Sequence, residues 1–135
     1  MRLIPIPSDH LDVSAPFWLP FVENIAKVQR CFLDQRLADI ASGQVRLVLI
    51  WDDEEKIAKA LIGLSEMQRG PDRVARLVWA DGKDRYQWID LLPELGQWCK
   101  DHGCKGMEAL ARPGWSRELK RFGYRLTHVQ LEKDF

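Results

Sequence analysis

Long apolar runs are missing from this 135-residue sequence, and nothing approaches the roughly 20 consecutive apolar residues that a membrane-spanning helix requires. The start, Met1-Arg2-Leu3-Ile4-Pro5, lacks the extended apolar core of a secretory signal, so the expected location is cytoplasmic. Cysteine is scarce: Cys31, Cys99 and Cys104 are odd in number and show no C-x-x-C spacing, which excludes a disulfide framework and a cysteine zinc site. The three histidines, His10, His102 and His128, fall on separate predicted elements, so no metal is expected. Net charge is also absent. Twenty basic residues balance 20 acidic ones, which argues against a basic nucleic-acid module and against a polybasic membrane binder.

What is present is enough apolar and charged material, 46% and 30%, to build one core under a solvated surface. Residues 1–135 are expected to form a single domain, because the chain is too short for two. Arg2–Ile6 reads as an edge strand stopped by Pro5 and Pro7. From Ser14, a candidate N-cap, Phe17, Phe21, Ile25 and Val28 recur at helical spacing, and a second helix is expected from about Cys31 to Ser42, closed by Gly43. Val45–Trp51 is nearly continuous in apolar residues, as a strand buried on both faces should be. The acidic turn Asp52-Asp53-Glu54-Glu55 leads to a strand Ile57–Met67, and Gly70-Pro71-Asp72 leads to another, Arg73–Ala80.

The strongest helical stripe follows, with Trp88, Leu91, Leu92, Leu95, Trp98 and Cys99 on one face. Pro93 inside it should kink the helix or start a second one. A short strand Met107–Ala111, a helix Trp115–Phe122 and a last strand Leu126–Lys133 complete the chain. The predicted class is a mixed, mostly antiparallel α/β sheet flanked by helices, in the order β-α-α-β-β-β-α-β-α-β.

In that order, the segments Gly82-Lys83-Asp84-Arg85, Trp88, Arg112-Pro113-Gly114-Trp115-Ser116-Arg117, Phe122-Gly123-Tyr124 and Val129-Gln130-Leu131-Glu132-Lys133 carry a family likeness. Over nearly its whole length the chain resembles the GNAT (N-acetyltransferase-like) superfamily, and within it a small phage- or prophage-encoded branch. The resemblance implies acetyl-CoA in an opening between Arg73–Ala80 and Met107–Ala111, with a phosphate-binding turn at the following helix. The cofactor-binding residues it implies are Val78, Trp79, Ala80, Gly82, Lys83, Arg85 and Arg112. The usual turn pattern is reduced to one Gly, with Asp81 and Asp84 beside it. Leu119 stands where a tyrosine acid is usual, and Arg112 where an Asn is.

The catalytic candidates are Glu66 and Glu108 as general bases and Tyr124 as an acid, one of only two tyrosines with Tyr86. Trp79 and Trp115 either line the opening or fill it. The implied function is acyl-CoA-dependent N-acylation of an amine on a small molecule or a protein. The alternative is a non-catalytic GNAT-like protein, a virion or host-interaction component contacting phage or host proteins, that has lost cofactor binding. Nucleobase modification has less support, because the chain is not basic.

Overall fold

A computed structural model describes all 135 residues. Strands β1 (Arg2–Pro5), β2 (Arg46–Asp52), β3 (Ile57–Arg69), β4 (Asp72–Gly82) and β5 (Gly106–Ala109) form one sheet in sequence order. The first four are antiparallel neighbours and β5 joins β4 in parallel. Helices α1 (Leu11–Val28) and α2 (Leu33–Ala41) cover one face. The other face is covered by α3 (Arg85–Trp88), α4 (Leu92–Asp101) and α5 (Ser116–Lys120). No helix is long and apolar enough to cross a membrane.

The continuous apolar run in β2 has the predicted cause. Leu47 and Leu49 pack under α1 and α2, while Val48 and Ile50 pack under α4, so both faces of the strand are dry. Pro93 lies at the start of α4, where its missing N–H costs no hydrogen bond, and one 3₁₀ turn separates α4 from α3. The break in the stripe is therefore a new helix start.

Two expectations are corrected. Ser14 is not an N-cap: α1 begins at Leu11, and the Ser14 hydroxyl donates to the His10 carbonyl at 2.6 Å inside the first turn. Pro16 and Pro20 both lie within this helix, yet packing of Trp18, Val22 and Ile25 holds it together. The last strand is also not formed. Tyr124 caps α5 through its N–H to the Leu119 carbonyl at 3.2 Å, after which residues 125–135 run exposed and without regular structure. The segment finds no ladder partner in the five-stranded sheet.

One irregularity positions everything that follows. Across β3 and β4, Leu64 pairs with Leu77 and Gly63 with Trp79, so Val78 is an extra residue and β4 carries a bulge. Gly63 is required there: a Cβ would lie 2.6 Å from the Trp79 ring.

Candidate functional site

β4 and β5 run side by side from Val74 opposite Gly106 to Leu77 opposite Ala109, and the Leu110 N–H closes the pairing on the Leu77 carbonyl at 3.0 Å. At the next residue, Val78, β4 bulges, and from Trp79 to Gly82 it pairs with β3 alone. The strands thus diverge where the bulge begins, leaving a free edge on β4 at Val78, Trp79 and Ala80. Trp79 is turned away under α1, 4% exposed, and its indole Nε1 has no hydrogen-bond partner. Trp115 packs on the opposite face against Trp88, with ring centres 6.0 Å apart. The two tryptophans thus pack into separate cores on opposite faces of the sheet.

The turn beyond the edge is built by charge pairing. Gly82 is fixed by strand packing, since a Cβ would overlap Ala60 Cβ and lie 2.7 Å from the Lys59 carbonyl. The Lys83 N–H donates to that carbonyl, and the Lys83 carbonyl accepts the Trp88 indole N–H, both at 3.0 Å. Asp84 adopts a left-handed conformation, φ 53°, at the start of α3. Lys59, 8% exposed, places its ammonium 3.8 Å from Asp84 and 3.3 Å from Glu55.

Arg85 is engaged from two sides. Its guanidinium lies 4.6 Å from the Trp115 ring centre, and its Nη2 is 3.4 Å from Glu118 on α5. Arg85 Nε and Glu118 Oε2 are buried without partners, so this contact leaves each group incompletely satisfied. Lys83 and Arg112 are exposed and form no ion pair.

The three catalytic candidates sit apart. Glu66 pairs in register with Ala75, exposed and 3.8 Å from Arg73, in a cavity of about 390 Å³ with His102 and Cys99 at the closed end of β4. Glu108 lies opposite Arg76, one residue before the last pair of the two strands, Leu77 and Ala109. Arg76 donates to its Oε2 from Nε and Nη2 at 3.0 and 2.8 Å, while Arg69 stands 3.8 Å from Oε1. Tyr124 packs into the α4-side core, its hydroxyl donating to the Met107 thioether at 3.6 Å. Burial, aided by nearby Cys99, pushes its phenol up to about 12.

The same arrangement of sheet and helices recurs in solved structures. One described as a probable acetyltransferase superposes with a TM-score of 0.69 at 16% identity, covering 100% of this chain and 99% of its own. A ribosomal-protein-alanine N-acetyltransferase from Brucella melitensis biovar Abortus 2308 gives 0.66 at 10%, covering 100% of both. Glucosamine-6-phosphate N-acetyltransferase from Arabidopsis thaliana gives 0.62 at 11%, covering 99% and 97%. The chain has the GNAT fold. No protein-family model matches the sequence, and no curated protein does. At these identities the likeness speaks for the GNAT architecture, and the chemistry must be argued from the cleft.

Two kinds of group here could hold an extended anionic cofactor: the β4 edge at Val78–Ala80, which has no neighbouring strand on its outer side, and the cations Lys83 and Arg112, which form no ion pair; the turn holds no glycine cradle. Two contributors had escaped sequence reasoning: Lys59, which neutralises Asp84, and Glu118, which holds Arg85. Each is one polar residue in an ordinary amphipathic pattern, and its role exists only through a partner distant in the chain.

Proposed function

We propose that the chain is an acyl-CoA-dependent N-acyltransferase that acetylates an amine of a small molecule or a protein. The observation that carries this reading is the divergence of β4 from β5 after Leu77, at the Val78 bulge. A bound acyl-CoA would supply an activated thioester carbonyl. The chain would hold the arm along Val78, Trp79 and Ala80 and the phosphates with Lys83 and Arg112. Backbone N–H groups of the β4 edge would face the carbonyl oxygen where negative charge grows during amine attack.

Glu108 is assigned the proton released by the amine, because it lies one register step from the opening, whereas Glu66 lies at the closed end. Tyr124 is assigned the proton returned to the departing sulfur, its phenol being protonated throughout the neutral range. The test is chromatographic turnover of acetyl-CoA against a panel of amines. Tyr124→Phe is expected to lower kcat and leave the KM for acetyl-CoA unchanged; an unchanged kcat would reassign Tyr124 to packing.

A second reading, a non-catalytic GNAT-like protein, is favoured by one observation: Asp84 and Arg85 of the turn are already engaged by Lys59 and Glu118. It predicts no turnover with any amine.

A further inference from the structure

On the α4 side the sheet is longer than the helix that covers it. The ten residues of α4 span about 15 Å, whereas the thirteen of β3 span roughly 43 Å. Where α4 stops at Asp101 the sheet continues, and the step encloses a cavity of about 390 Å³ among the start of β2, the end of β3, the start of β4 and the last turn of α4. This is the end of β4 remote from the opening at Val78–Ala80. Leu64, Ala75, Cys99 and Cys104, all buried, form an apolar floor, and half-buried Trp98 forms a wall.

Charge collects at the mouth. Arg46 pairs with Leu64 as Val48 pairs with Ile62, and directly paired residues share a face, so the side of β2 that packs under α4 runs Ile50, Val48, then Arg46. Glu66 follows Leu64 on that face and stands diagonal to two arginines, Arg46 on β2 and Arg73 on β4. It pairs with Arg73 at 3.8 Å, and Arg73 also donates to the His102 carbonyl. Arg46 is left without an ion pair. Of the indole N–H groups, only those of Trp18 and Trp88 donate to a protein acceptor, so the Trp98 N–H is also unused. Two guanidinium groups against one carboxylate leave the mouth positive.

We propose that this cavity binds a small aromatic carboxylate, its carboxylate on Arg46 and its ring over Leu64, Cys99 and Trp98. The guanidinium offers a planar fork that matches a carboxylate, and the floor gains from covering by a ring. The volume falls within the range of small-molecule sites, roughly 300–1,000 Å³. A cation is repelled by Arg46 and Arg73, and a small inorganic anion leaves the floor uncovered. Burial keeps the Cys99 thiol protonated, so it is a surface for the ring and not a nucleophile. The site shares no residue with the β4–β5 opening and stands whether or not the chain transfers acyl groups.

The experiment is a titration of the isotope-labelled full chain with phenylacetate, followed through amide and indole N–H resonances. Saturable shifts are expected at the Trp98 indole and at the amides around Arg46, Glu66 and Cys99, with residues 78–85 unmoved. Arg46→Met keeps the apolar stem of an exposed side chain and is expected to weaken binding at least about fivefold with the fold unchanged. Glu66→Gln removes the nearest carboxylate and should tighten binding about twofold. Benzylamine, the ring with the opposite charge, and inorganic phosphate, the charge without a ring, should each bind at least about fivefold more weakly than phenylacetate. No saturable shift at millimolar phenylacetate would overturn the proposal, as would shifts confined to residues 78–85. So would benzylamine or phosphate binding as tightly as phenylacetate, an Arg46→Met protein that binds like the parent, or weaker binding in Glu66→Gln.

Discussion

At the scale of single residues, Asp52 shows how one side chain shapes a turn. Its Oδ1 accepts the backbone N–H of Glu54 at 2.9 Å and of Glu55 at 3.2 Å, at the end of β2. The Glu55 N–H foremost, with the Glu54 N–H and the Lys59 charge, holds the Asp52 carboxyl below its ordinary value of 3.8, against partial desolvation that raises it. A depressed carboxyl stabilises the fold above its unfolded value and loses that contribution as pH falls through the folded value. Thermal melts should therefore show an acid limb below pH 3.8 that is shallower in Asp52→Ala; identical limbs would contradict the assignment.

Burial pushes the Cys99 thiol up to about 11, with Cys104 and Glu66 adding to it, and both Cys99 and Cys104 are buried. A neutral alkylating reagent should modify half-buried Cys31 alone in the native protein and all three thiols after unfolding. Native modification of Cys99 would show that the α4 side opens.

The turn before α3 makes a sharper demand. Asn tolerates the left-handed conformation of Asp84 and removes the carboxylate, so Asp84→Asn should tighten acetyl-CoA binding by about two- to tenfold. Lys59→Met should weaken it, because the Asp84 charge would stand unneutralised near the phosphates. Glycine and the basic residues of this turn were legible in the sequence. Their pairing was not, because Lys59 and Glu118 reach the turn only after β3 and α5 are in place.

At the scale of elements, periodicity located what local packing decides. The stripe from Trp88 to Cys99 became α3 and α4, and the meander of β2, β3 and β4 followed from turn residues and apolar runs. It failed where an element depends on a distant edge, as in residues 126–133, and it began α1 at Ser14, three residues after its true start at Leu11. Gly63 in β3 makes room for the bulge, but the extra residue, Val78, belongs to β4, and the pairing of the two strands shows only in the fold. Gly63→Ala forces a Cβ to 2.6 Å from the Trp79 ring, and overpacking of that kind costs about 1 to 3 kcal/mol. The melting temperature should fall by several degrees; a stability equal to the parent would mean that Trp79 can move and that the bulge is not locked.

At the scale of the whole molecule, five strands and two layers of helices serve to separate β4 from β5 at one defined point. Everything proposed for the cleft depends on the free edge at Val78–Ala80 accepting an acyl-CoA. Calorimetric titration of the protein with acetyl-CoA tests this most directly. Saturable binding is predicted, weakened at least about tenfold when Lys83 and Arg112 are both replaced by Ala. Absence of binding at millimolar acetyl-CoA, with no change in melting temperature, would contradict it, since a ligand held only by the native state must stabilise that state.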